Sequence, residues 1–171
     1  MIALIRAASE CNDPDLTGKY IAKAELCIKK GPQTAFADIV KKRRNFSVLR
    51  AAGEGSELIL YLMNRNDVGK DKLNVSEIPP NAVSLVISNK DVKDYLLRSG
   101  DTNPIHTGEN PVIPGLLILE KILPHENIDV QARFHVPVYA GDTLYISKNE
   151  QNMTVLNNER VICLTISVKK R

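Results

Sequence analysis

From residue 128 the chain alternates, with Ile128, Val130, Ala132, Phe134 and Val136 apolar and Asp129, Gln131, Arg133 and His135 polar between them. That period predicts a strand with one buried face. "GDTLYIS" then supplies a turn and a second strand, "NMTVL" a third, and "ERVICLTISVKK" a fourth in which Ile162, Leu164, Ile166 and Val168 share a face. The linkers between them are short and polar, as an antiparallel meander requires. Earlier in the chain, "GKYIAKAELCIKK", "TAFADIVKK", "NFSVLRAA" and "SELILYLMN" read the same way, separated by Gly-Pro and Gly-Glu-Gly turn signals. The two meanders share strand order, strand length and turn position with few identities. This is the pattern of a degenerate duplication, although any two antiparallel meanders look somewhat alike.

Between the meanders the period changes. Residues 67–82 are polar and turn-rich and read as a linker joining a degenerate β-meander half, 1–66, to a second half, 83–171. "AVSLVIS" is a β-branched strand. "NKDVKDYLLRSG" predicts a short helix with Ser88 or Asn89 as cap, Asp91 in the first turn, Val92, Tyr95 and Leu96 on one face, and Gly100 as terminator. "PGLLILEKIL" predicts a second helix, apolar on nearly every side, with Pro114 suited to its first turn. A helix of that kind has to be wrapped, and antiparallel strands on both sides of it in sequence can do so, giving an α+β domain with a bent sheet around a buried helix.

Composition narrows the function classes. At 171 residues and 43% hydrophobic content the chain can bury a full core. Its 23 Lys and Arg against 20 Asp and Glu leave only +3, which argues for neither nucleic acid nor a membrane as partner. Aromatic content of 5% is too low for an RNA-binding strand platform. Cys11, Cys27 and Cys163 are three in number, widely separated and without C-x-x-C spacing, so neither a disulfide framework nor a zinc site is suggested, and the setting reads as reducing and cytoplasmic. "MIALIRAASECNDPD" has a short apolar run without a charged n-region, so no secretory signal is expected, and no segment approaches the roughly 20 apolar residues of a membrane span.

The candidate chemistry is concentrated in "SGDTNPIHTGENPVIPG", residues 99–115. Asp101 and His106 are five positions apart on a segment stiffened by Pro104, and a carboxylate with an imidazole is the pair most often used for proton transfer near neutral pH. Asn103 can tie the turn or orient one of them. The amide of Gly115 opens the buried helix, where free N–H groups and the positive end of the dipole favour an oxygen gaining negative charge. The structural alternative is an Asx-turn at Asp101, a turn at Asn103-Pro104 and a partly buried ring at His106.

"SGDTNPIH", "PGLLIL" and "FHVPVYAGDTLYI", in that order, resemble the MaoC-like (R)-specific enoyl-thioester hydratases and dehydratases of the hotdog fold. The resemblance covers roughly residues 83–171. It implies that Asp101 and His106 are a catalytic dyad holding a water and moving its proton in syn addition to a trans-2-enoyl thioester. It also implies that Asn103 supports the loop at the substrate site and that the Gly115 amide contacts the thioester carbonyl. The acyl group would be carried by coenzyme A or an acyl carrier protein, with no cofactor. Two features depart from the family pattern. Only Thr107 to Ile113 separate the motif histidine from the helix, which predicts a truncated overhang, and Pro114-Gly115 stands where His-Gly is common. Hotdog proteins usually place the pocket between two halves of a dimer. The chain is therefore expected to be a homodimer or an intrachain double hotdog whose first half has lost its helix.

The remaining candidates are weaker. "VKKRRNF", residues 40–46, would suit coenzyme A phosphates or an acidic carrier, but reads more simply as a solvated hairpin with Phe36 and Phe46 facing inward. His125 reads as surface and His135 as lying on the polar side of its strand. Neither has ligand spacing, so no metal is expected. Glu120 in the buried helix is where hotdog thioesterases often carry their acid. It keeps open a thioesterase reading, beside a noncatalytic acyl-binding or assembly module suggested by the short loop after His106.

Overall fold

The computed structural model describes residues 2–11, 13–29, 32–53, 55–64, 72–123 and 128–170, so His125 and part of the linker lie outside it. Strands β1 (Tyr20–Ile28), β2 (Phe36–Arg43), β3 (Phe46–Gly53) and β4 (Ser56–Met63) follow helix α1 (Ile2–Ser9). Then come β5 (Val83–Val86), α2 (Asn89–Ser99), α3 (Gly115–Ile122), β6 (Ile128–Phe134), β7 (Thr143–Lys148), β8 (Asn152–Leu156) and β9 (Ile162–Lys170). The nine strands among the described residues join one antiparallel sheet in the order β2-β3-β4-β1-β6-β9-β8-β7-β5.

The sheet has a mirrored plan. At its middle, β1 pairs antiparallel with β6, Ala24 opposite Ala132. Outward from that pair the order is β4-β3-β2 on one side and β9-β8-β7 on the other, so each meander folds its last strand back beside its first. The expectation of a first half without a helix is corrected: α1 precedes β1 as α3 precedes β6. Leu4, Ile5 and Ala8 form one buried face of α1, and an eight-residue element built on so short an apolar run has too little periodicity to stand out from the strands after it. Both helices share one core with the sheet, which includes Leu49, Leu58 and Leu60 from the first half and Val130, Leu144 and Ile166 from the second.

The helix signals in the second half are realised. Ser88 caps α2 in a reciprocal box, its Oγ accepting from Asp91 N (3.2 Å) while the Asp91 carboxylate accepts from Ser88 N (3.0 Å). Gly100 ends α2 at φ 71°, a left-handed conformation that a side chain would resist, and turns the chain into Asp101. In α3, Leu116, Leu117, Ile118 and Leu119 are all buried. Its only charged positions, Glu120 and Lys121, reach α2 through Arg98 (2.8 Å) and Asp91 (2.9 Å).

One strand faces differently from the expectation. Phe36 is 44% exposed and Val40 58%, on the outer edge strand β2. There is no neighbouring strand beyond β2 among the described residues, and a register irregularity between Ile39 and Lys41 breaks its alternation. Phe46 is half-buried against Tyr61, with ring centroids 6.2 Å apart. The basic residues of 40–46 are exposed. Lys42 is held by Asp13 and Asp15 at 2.8 and 2.7 Å.

Candidate active site

The segment after Gly100 is shaped by its own short side chains. Asp101 Oδ1 accepts from Asn103 N (2.9 Å), an Asx turn that leaves Oδ2 pointing elsewhere. Asn103 Oδ1 then caps a single 3₁₀ turn, Pro104–His106, whose fixed proline φ starts it and whose His106 N–H closes on Asn103 O (3.1 Å). The turn swings the His106 ring back over Asp101, placing Nε2 3.7 Å from Asp101 Oδ2. The structural alternative for Asp101 is thus half realised, by one oxygen only.

The histidine's tautomer follows from its other nitrogen. Nδ1 lies 2.7 Å from the carbonyl oxygen of Val112, which can only accept, so Nδ1 carries the proton and Nε2 presents a lone pair. Val112 is seated by its own pairing, its N–H donating to Ile105 O (3.0 Å) and its backbone bridging Tyr139. The short loop 107–113 is what brings this carbonyl to the ring. Burial, with only 9% of the residue exposed, holds the imidazole below its ordinary pKa, against the opposing pull of the Asp101 charge and the Val112 carbonyl. His106 is therefore neutral at neutral pH.

A 3.7 Å separation is too long for a direct hydrogen bond and suits one bridging atom. Two acceptors facing each other can take both hydrogens of a single water, leaving its oxygen lone pairs turned outward. What they face is a cavity of about 430 Å³ whose wall includes Asp101, His106 and Gly115 together. Gly115 and Leu116 open α3, before any carbonyl of the helix can reach their N–H groups, whereas Leu117 and Ile118 N–H already turn back to Pro114 O (3.0 and 3.2 Å). Gly115 is required here by close approach: a Cβ would stand 2.6 Å from Phe134 Cε1 and 2.8 Å from Cζ.

Asn103 also lines the cavity, but its amide is committed to backbone. Nδ2 donates to Lys19 O (2.9 Å), and Oδ1 accepts from Gly18 N (3.1 Å) as well as Ile105 N (3.4 Å). It ties the dyad's loop to the first half of the chain. Asn103→Ala is expected to cost about 1–3 kcal/mol in urea unfolding. Unchanged unfolding would refute the tie.

The other sequence candidates are elsewhere. Glu120 pairs with Arg98 and is not among the described residues lining the cavity. His135, just past β6, hydrogen-bonds Thr165 Oγ1 (3.0 Å). Among the described residues no group of three or more His, Cys, Asp or Glu is placed to hold a metal ion, and no helix is long and apolar enough to cross a membrane. Several contributors are beyond sequence reading: the Val112 carbonyl, the Phe134 ring behind Gly115, buried Tyr95 beside Asp101, and the first half's wall of Ile5, Leu49, Leu60 and Leu62. Phe134 and the first-half wall come from elements distant in sequence, the Val112 carbonyl is placed by backbone pairing that no side-chain pattern marks, and Tyr95 was legible only as a position on the apolar face of α2.

No protein-family model matches the chain, and no curated protein matches it. Solved structures do. HtdX from Mycobacterium tuberculosis superposes over 96% of this chain and 80% of its own, with a TM-score of 0.61 at 17% identity. A MaoC-like dehydratase from Phytophthora capsici covers 95% and 75%, TM-score 0.53 at 11% identity. An acyl-ACP thioesterase from Bacteroides thetaiotaomicron covers 88% and 75%, TM-score 0.52 at 11% identity. The fold is the α+β hotdog, and MaoC-like dehydratases are among its structural neighbours.

Proposed function

We propose that this chain is an enoyl-thioester hydratase, or in reverse a 3-hydroxyacyl-thioester dehydratase, acting on acyl groups carried by coenzyme A or an acyl carrier protein. The observation that carries the reading is the convergence of Asp101 Oδ2, the unprotonated Nε2 of His106 and the first amide of α3 on one cavity. A volume of about 430 Å³ lies within the range of ligand pockets, roughly 300–1,000 Å³.

The chemistry follows from the acceptor pair. Water is held through both hydrogens between Asp101 and His106. As its oxygen bonds to C3 of the enoyl group, His106 Nε2 takes one of its protons. The π electrons move toward the thioester oxygen, whose growing charge is stabilised by the Gly115 N–H at the positive end of α3. The imidazolium formed is steadied by Asp101 and returns the proton to C2 from the same side, restoring the carbonyl. Water adds with all atoms retained, and dehydration is the same path reversed.

The mirrored sheet supports reading residues 1–66 as a degenerate half and 83–171 as the MaoC-like half, so that one chain makes a double hotdog with one site. The first half walls the acyl pocket that a truncated loop after His106 would otherwise leave open. Three unpaired thiols suit a reducing compartment.

Purified protein given trans-2-enoyl thioesters of several lengths is expected to bleach the enoyl absorbance and form 3-hydroxyacyl thioesters. No turnover at any length on either carrier would refute the assignment. Because the dyad works with neutral His106, and burial lowers its pKa from 6.5, kcat/KM is expected to stay level above that value and to fall only at more acid pH. Asp101 favours the imidazolium, so Asp101→Asn should move the His106 titration, followed by NMR of the ring proton, further down. An upward movement would contradict the arrangement.

A further inference from the structure

The cavity has one feature that water addition does not use. Lys19 is only 6% exposed, although a lysine is rarely buried without an anionic partner. Its Nζ donates to Ser47 Oγ at 2.8 Å, and Ser47 is wholly buried. A hydroxyl satisfies one of three donors and neutralises none of the charge. The carboxylate that acts on Lys19, Asp13, has both oxygens on Lys42 Nζ (3.0 and 2.8 Å), which also binds the exposed Asp15. Within this group of four charges, the buried one is the ammonium of Lys19.

Its place relative to the cavity is set by the strands. Ser47 lies on the same buried face of β3 as Leu49 and opposite Leu62 of β4, and both leucines line the cavity, as does Lys19 itself. At its other end Lys19 is anchored to the dyad loop, its carbonyl accepting from Asn103 Nδ2 (2.9 Å). The lysine stem therefore runs from beside the dyad to the apolar wall of the first half.

We infer that Lys19, held by Ser47, receives a carboxylate at the far end of the acyl group, so that the substrate is a short enoyl thioester whose tail ends in a carboxylate rather than a methyl. The inference rests on the hydratase reading and specifies its substrate class. In a cavity lined mostly by apolar side chains, where the lining Asp13 is engaged by Lys42, a carboxylate tail would be excluded without a further cation, while a methyl end would leave the ammonium poorly paired.

The test compares trans-2-enoyl coenzyme A esters of equal length, five to seven carbons, ending in methyl or in carboxylate. The intact protein is expected to favour the carboxylate esters. Lys19→Met should lower their kcat/KM roughly 10- to 100-fold, the loss of a charge-assisted hydrogen bond, mainly through KM, and leave the methyl esters within roughly threefold. Lys19→Arg should keep the preference, and Ser47→Ala should weaken it, which guards against a Met variant that fails to fold. Calorimetry with the saturated esters should show the same ranking in binding. Turnover of methyl esters with neither binding nor turnover of carboxylate esters would overturn the inference and leave the hydratase intact. An equal loss on both series in Lys19→Met would make the lysine a structural strap. Failure of every ester to bind would remove both readings together.

Discussion

Asp101→Ala and His106→Ala are each expected to reduce kcat/KM for enoyl hydration by about 10²–10⁴, the range of positioned acid–base groups, with the double variant no worse than the poorer single one. The reason for the missing additivity is geometric. The two side chains stand 3.7 Å apart, and in the proposed mechanism they share one water, so removing either releases it. Binding of a saturated acyl thioester should survive both changes, because the amide of Gly115 and the apolar wall remain. A noncatalytic acyl-binding module would bind the ester without turning it over even in the intact protein. Losses that multiply in the double variant would mean that the residues act separately.

Gly115→Ala is expected to lower kcat/KM about 10²-fold, the cost of misplacing one stabilising donor. The added methyl would meet Phe134 at 2.6 Å, so either the ring moves into the cavity and crowds the acyl group or the start of α3 shifts, and either disturbs the proposed contact of the N–H with the thioester oxygen. Phe134→Leu removes the Cε1 and Cζ atoms of that clash and should restore part of the activity of Gly115→Ala. No rescue, with unaltered folding, would show that the glycine matters for some other reason.

These two predictions rest on features of different legibility. The juxtaposition of Asp101 and His106 was legible in the sequence because Asx and 3₁₀ turns are local: Asp101, Asn103, Pro104 and His106 carry their own geometry within six positions. The ends of α2 were legible for the same reason, in Ser88, Asp91 and Gly100. The strands after residue 127 were legible because one face of each is buried. Where burial is uneven, periodicity fails, as at Phe36 on an edge strand and at the short helix α1.

Long-range pairings leave no trace of that kind. The Val112 carbonyl that sets the tautomer of His106 is chosen by a backbone bridge to Tyr139. Asn103 is recognisable as a turn residue, but nothing in its surroundings announces that it grips Gly18 and Lys19, more than eighty positions earlier. Lys19 and Ser47 are 28 positions apart, and each looks like an ordinary strand-end or strand residue. The first meander's role was equally hidden. Its pattern told of a sheet, and only the pairing of β1 with β6 makes it a wall of the cavity.

The measurement that bears most directly on the site is the stereochemistry of addition in deuterium oxide. With Asp101 and His106 on one side of the substrate, the hydroxyl at C3 and the deuteron at C2 must arrive on the same face. NMR of the 3-hydroxyacyl product should therefore show a single syn diastereomer with one deuterium at C2. An anti product, or a mixture at C2 under conditions where the product itself does not exchange, would contradict a single water delivered and reprotonated by this pair.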